Sequence, residues 1–218
     1  MPSRKVKLGI LLPTRGLLLR NQQPTGIERL IGLAERAEQG GLDGVWVGDS
    51  LVAKPRMEPL SVLSALAVRT SRVRLGTAVL LPALRHPVLL AQTLATVELI
   101  SEGRLVIGAG VGGAFNEDQK REWEVAGVPS RGRGRRFEEI IEIVHGLGSG
   151  RPFTFNKDWC RPNQFHLFDV RWPRWRHQYY LISGFCSDHH RIQEPLFCPR
   201  CDDNPPIFNG NIPSITQM

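Results

Sequence analysis

Four short apolar runs, each followed by a helical pattern, begin near residues 6, 44, 73 and 104, and this rhythm most restricts what the chain can fold into. The spacing of about 29–38 residues is the length of one strand-plus-helix unit. The runs cover residues 6–12, 44–47, 73–80 and 104–108 and are almost wholly apolar. Strands of that kind are buried on both faces, so a parallel sheet covered by helices is expected. The first helix should start at a capping box made by Thr25 and Glu28. Ile27, Leu30, Ile31 and Ala34 then mark one helical face, and Gly40-Gly41 should end it. A second helix is predicted from Pro59 to about Thr70 and a third from Pro87 to about Ile100. A fourth is predicted over 134–147, with Phe137, Ile140, Ile141 and Val144 on its buried side. A doubly wound sheet and a barrel both satisfy this pattern.

Composition divides the chain near residue 150. Residues 1–150 hold all 12 alanines, 20 of the 22 glycines and no cysteine; residues 151–218 hold no alanine and all four cysteines. Two parts are therefore expected: a patterned domain over 1–150 and an irregular Cys-, His-, Trp- and Pro-rich tail over 151–218. The net charge of +7 suits an anionic ligand. The patterned part lacks the aromatics interleaved with a basic patch that nucleic-acid binding calls for, so nucleic acid is not expected as a partner. No run approaches the roughly 18 apolar residues of a membrane helix. The basic and apolar N-terminus is broken by Pro13 and Arg15, reads as a strand and not a signal peptide, and leads to an expected cytoplasmic location.

The fourth run opens into GRLVIGAGVGGAFNED, with glycines at 108, 110, 112 and 113. Glycines let a backbone approach a ligand closely, and their N–H groups can hold a phosphate. A dinucleotide fingerprint reads G-x-G-x-x-G and opens a helix. Here the spacing is G-x-G-x-G-G, after the fourth strand, with no helix directly at the glycines. A phosphate loop and a plain flexible turn both remain open on these residues alone.

The succession of GLDGVWVGDS, SRVRLGTAVL, RHPVLLAQ and SEGRLVIGAGVG, followed by a helix containing FEEIIEIV, resembles the bacterial luciferase-like family. That family contains FMN-dependent monooxygenases and coenzyme F420-dependent oxidoreductases. The resemblance covers roughly residues 5–150 and implies the N-terminal half of a (β/α)8 barrel, about four units, with its site at the C-terminal ends of the strands. It places Asp49 and Ser50 near the cofactor ring and Ala78-Val79 behind it, at a bond that is a non-prolyl cis peptide in several members. It places Gly108, Gly110, Gly112, Gly113, Asn116 and Glu117 around the cofactor. Some F420-dependent members have a glutamate where Gly113 stands here. Many carry a histidine where Ser50 stands, which tilts the expectation to FMN. His86, just before Pro87, is either a neighbour of a helix cap or a third catalytic candidate facing the mouth.

Arg131, Arg133, Arg135 and Arg136 form either a solvated basic turn or a seat for a cofactor phosphate. In the tail, Cys186-x-x-His189 and Cys198-x-x-Cys201 could ligate zinc, although no metal is assigned to the main site. An altered reading frame is the other reading of the tail, and disulfides are not expected there. A luciferase-like oxidoreductase or monooxygenase acting on a small organic substrate with reduced FMN or F420 is the resulting expectation. The family pattern stops after four strands, so a truncated chain of reduced or absent activity is expected, self-associating through exposed sheet edges. The competing reading is a non-catalytic half-barrel interaction protein with a zinc-binding or disordered tail.

Overall fold

The computed structural model describes residues 6–16, 27–149 and 153, and the backbone of 178–181. The chain falls into two units, Met1–Ser183 and Gly184–Met218, and every described residue lies in the first. The zinc candidates Cys186, His189, Cys198 and Cys201 therefore lie outside the described residues.

In chain order the elements are β1 (Gly9–Leu11), α1 (Glu28–Gln39), β2 (Gly44–Val47), α2 (Pro59–Ala67), β3 (Arg74–Leu80), a 3-10 turn (Pro82–Leu84), α3 (Pro87–Ile100), β4 (Leu105–Ala109), α4 (Glu117–Val125), α5 (Arg133–Gly148) and β5 (Gln178–Leu181). All strand pairings are parallel and the spatial order is β1-β2-β3-β4-β5. A doubly wound sheet reverses direction at a switch point, whereas a barrel adds each strand beside the last. The consecutive order follows the barrel path. β5 adds a fifth strand beyond the four carried by the apolar rhythm, with Gly108 opposite Tyr180 in the register.

One face of the sheet packs against the helices. Val45, Val47, Leu75, Leu105, Ile107 and Ala109 join Leu30, Leu63, Leu66, Leu94 and Ile140 in a single buried cluster. Each valine, leucine or isoleucine among them contributes about 1.5–3 kcal/mol by leaving water. Helix α3 packs on α5 and α2 on α3, which closes the outer layer.

The helix ends show where local signals decide and where they do not. α1 stops as expected: Leu42 N–H bonds to the Ala37 carbonyl and Gly41 N–H to that of Glu38, with Gly41 at φ 82°. That is the double-bonded glycine stop of a Schellman motif. Its expected start at Thr25 lies outside the described residues. Ile27, the residue before Glu28, makes no side-chain cap bond. α2 starts at Pro59 behind Glu58, whose side chain accepts the Ser61 N–H at 2.6 Å.

The strand starts are pinned by side chains at the end of the sheet away from the candidate site. Glu38 accepts N–H bonds from Ser71, Arg72 and Val73. Arg104 donates to the Ala67 carbonyl at 2.8 Å and to Thr70 Oγ1 at 2.9 Å. Burial opposes ionisation of Glu38, but the three backbone donors outweigh it and hold its carboxyl below the ordinary value.

Candidate cofactor site

Because the strands are parallel, Asp49-Ser50, Ala78-Val79 and the loop after Ala109 all lie at the same end of the sheet. The Asp49 side chain is only 2% exposed and faces Arg85, at 2.5 Å from Nη1 to Oδ2 and 3.0 Å from Nη2 to Oδ1. Its Oδ2 also accepts the Leu81 N–H at 2.8 Å. Burial works against the Arg85 cation, but bonding to Asp49 and the nearby Glu58 carboxylate outweigh it and raise its pKa above the ordinary value. Both carboxylate oxygens of Asp49 are thus already engaged. Ser50 Oγ donates to Glu122 Oε1 at 2.7 Å and accepts the Lys54 N–H at 2.9 Å.

At the end of β3 the Ala78-Val79 peptide is cis, and the register with β4 shifts between Ala78 and Leu80. Thr77 and Leu80 on either side are buried, whereas Ala78 is exposed. The segment is held from both directions: Gly110 N–H bonds to the Leu80 carbonyl at 2.8 Å, and the next residue, Leu81, is held by Asp49. Thr77 Oγ1 donates to the Gly108 carbonyl at 2.8 Å, joining the two strand ends.

The glycine loop leads into a helix that the sequence reading did not place. Asn116 caps α4 by accepting the Gln119 N–H at 3.0 Å, and Gln119 Oε1 accepts the Phe115 N–H at 2.8 Å. Trp123, fully buried, donates its indole N–H to the Gly113 carbonyl at 2.7 Å. Gly112 has φ 84°, and a Cβ there would stand 2.9 Å from the Trp123 ring. Both features require glycine. Arg133 donates to the Gly112 carbonyl at 3.2 Å and lies 5.9 Å from the Phe115 ring centroid. The carbonyls of Gly112 and Gly113 are therefore occupied, whereas the N–H groups of Val111, Gly112, Gly113 and Ala114 have no acceptor among the described residues. Glu117 is exposed and pairs with Lys120 at 2.6 Å, which raises the lysine pKa.

Of the candidates, Asp49, Ala78, Val79, Gly108 and Gly110 form one bonded set, and Gly112, Gly113 and Asn116 form a second through α4. His86 is the N-cap residue of α3 and is exposed. Three of the four arginines before and within α5 bind protein groups: Arg133 as above, Arg135 to Glu139 at 2.9 Å, and Arg136 to the Ala83 carbonyl at 2.6 Å. Arg85, Glu122 and Trp123 were not singled out by sequence reasoning. An Asn-x-x-Gln cap before a segment containing one tryptophan among charges was the available signal for α4.

Residues 6–178 match the profile of the luciferase-like monooxygenases. The chain belongs to the luciferase-like monooxygenase family. Relatives in that family include an F420-dependent glucose-6-phosphate dehydrogenase of Amycolatopsis mediterranei, 37% identical over 153 residues, which are 66% of this chain and 44% of the relative. A limonene 1,2-monooxygenase of Rhodococcus erythropolis is 30% identical over 149 residues, 65% of this chain and 36% of the relative. Among solved structures, the monooxygenase RslO1 of Streptomyces bottropensis matches with a TM-score of 0.68 and 28% identity, over 81% of this chain and 53% of that one. The chain thus spans less than half the length of these two curated relatives. The luciferase-like fold is an α/β barrel, and the parallel sheet described above is its first part. Among the described residues no helix is long and apolar enough to cross a membrane, and no cluster of potential metal ligands occurs.

Proposed function

We propose that this luciferase-like chain is an oxidoreductase whose strand ends seat a flavin-type cofactor, reduced FMN or coenzyme F420, for reaction with a small organic substrate. One observation carries the reading: the Ala78-Val79 bulge, with Ala78 exposed and Val79 half-buried, stands beside a loop with four N–H groups that lack acceptors among the described residues. A flat apolar surface next to a row of backbone donors fits a cofactor with a planar ring and an anionic tail. When bound, the cofactor would supply the electron or hydride chemistry. The protein's share would be to back the ring with Ala78 and Val79 and to hold the tail on the loop from Val111 to Ala114.

Asp49 enters this reading as a support. Its carboxylate holds Leu81 and Arg85, so it shapes the backing surface and does not stand ready as a base. Relatives on the F420 side include the Amycolatopsis enzyme, whereas Ser50 stands where many F420-dependent members have histidine. The test is a fluorescence titration of the full chain with FMN and, separately, with F420. Saturable micromolar binding of one is expected and names the cofactor. Absence of binding by both in folded protein overturns the reading in favour of a non-catalytic interaction protein.

Self-association is a second proposal, favoured by the outer edge of the sheet. Val6 and Leu8 are 82% and 61% exposed, and β1 pairs only with β2 among the described residues. Sedimentation velocity should show a dimer or larger species, and a monomer at tens of micromolar would overturn it.

A further inference from the structure

The two loops that end β2 and β4 share no strand, yet both are fastened to one short helix. Glu122 Oε1 collects three donors from the first loop: Ser50 Oγ–H, Leu51 N–H and Val52 N–H. The carboxylate is buried at 5% exposure and every contact to this oxygen is a donor. Only an acceptor can serve there, and an ionised one serves best. The next residue, Trp123, holds the second loop through the Gly113 carbonyl and fills the space over Gly112. Gln119 adds the Phe115 N–H to that side. Positions 119, 122 and 123 are spaced i, i+3 and i+4, so they lie on one helical face. Within α4 only Glu122 and Trp123 are buried. A helix serving mainly to build the core would bury an apolar stripe; this one buries the two side chains that grip the loops.

We propose that Glu122 and Trp123 are positioning residues through which α4 locks the loop after β2 and the glycine loop into one unit, so that cofactor affinity depends on both grips together. The proposal rests on the cofactor reading above for its functional consequence, but the lock itself has a separate readout. Neither residue is argued to touch the cofactor. Their effect passes through Ser50, Leu51 and Val52 on one side and Gly112 and Gly113 on the other.

The experiment compares the full-length chain with Glu122→Ala, Glu122→Gln, Trp123→Phe and Glu122→Ala/Trp123→Phe. Titration with FMN and F420 is read beside amide hydrogen exchange at Leu51, Val52 and residues 112–115. Glu122→Ala should weaken binding on the order of tenfold, the scale of buried donors losing their acceptor. Its exchange should quicken in both loops. Glu122→Gln, which keeps an amide oxygen, should restore most of the affinity. Trp123→Phe should quicken exchange at Leu51 and Val52 as well as at its own loop, and the double variant should bind no worse than Glu122→Ala. Additive losses, exchange changes confined to the altered loop, or no rescue by Glu122→Gln would overturn the proposal. If the Ala variant does not fold, Glu122→Gln and Trp123→Phe decide on the same readouts. If wild type binds neither cofactor, the cofactor reading fails, and exchange alone decides the lock: coupled loops uphold it and independent loops overturn it.

Discussion

The indole of Trp46 occupies the space that a side chain at Gly76 would need. The two residues are register partners on β2 and β3, and a Cβ on Gly76 would overlap the indole at Cε3 and Cζ3. The other side of the same ring lies over β1, where a Cβ on Gly9 would come 2.5 Å from Nε1. One tryptophan thus spans three strands across two glycines. Gly76→Ala should destabilise the protein by about 1–3 kcal/mol through overpacking. Adding Trp46→Leu should recover part of that loss. Urea denaturation of the single and double variants checks both statements, and a Gly76→Ala protein of unchanged midpoint would refute the close packing.

Asp49 and Arg85 form a partly buried pair whose halves are unequal when separated. Asp49→Ala leaves the Leu81 N–H without its acceptor and leaves the Arg85 guanidinium, 16% exposed, only the Glu58 carboxylate and the Leu81 carbonyl. The loss should be about 1–3 kcal/mol, the scale of a buried donor losing its acceptor while Glu58 still pairs with the cation. Asp49→Asn keeps an acceptor for Leu81 and should fall between wild type and Asp49→Ala. The check is the order of the three urea midpoints at constant slope, and a reversed order would remove the support role.

Asn116 carries two assignments that one pair of variants separates. As the cap of α4 it accepts the Gln119 N–H. Asn116→Ala should therefore cost about 1 kcal/mol, whereas Asn116→Asp should keep the cap. If Asn116 also meets an anionic cofactor tail, Asn116→Asp will weaken binding of FMN or F420 while leaving stability intact. Thermal melting and titration of the two variants read the two roles independently.

Glu38 should make the protein acid-sensitive. Its carboxyl is lowered from the ordinary 4.5 in the folded state. A lowered carboxyl contributes stability that is fully present above the unfolded value and is lost as pH falls through the folded value. Stability of wild type should therefore decline from about pH 4.5 downward. In Glu38→Gln the protein should be less stable at pH 7 and show a shallower decline. Chemical denaturation at pH 7, 5, 4 and 3 measures both, and parallel curves would show that Glu38 is not a contributor.

The sheet was legible where burial on both faces forces apolar runs. Residues 44–47 and 87–100 form the strand and helix that the pattern predicts. Runs of that kind cannot show strand order, so the choice between a barrel and a doubly wound sheet came from the resemblance and is visible in the consecutive pairing. β5 was missed because Gln178–Leu181 lies in a stretch without the apolar rhythm. At the site, glycine loops and strand ends could be found from residue type and succession. The partners of Asp49 and Ser50 could not, because Arg85 and Glu122 are 36 and 72 positions away from them. Nothing in a charged segment such as EDQKREWEV shows that one of its glutamates is buried against another strand's loop.

The helix that leaves the glycine loop folds back to grip it, and this has a consequence for how the segment can vary in length. Surface loops ordinarily accept insertions at small entropic cost. Between Gly113 and Asn116 a single added residue would shift Gln119 and Trp123 out of step with the groups they hold. It would also rotate Glu122 away from Leu51 and Val52, or else strain the junction. This stretch should therefore diversify by substitution alone, while tolerance to insertion is confined to turns that α4 does not reach.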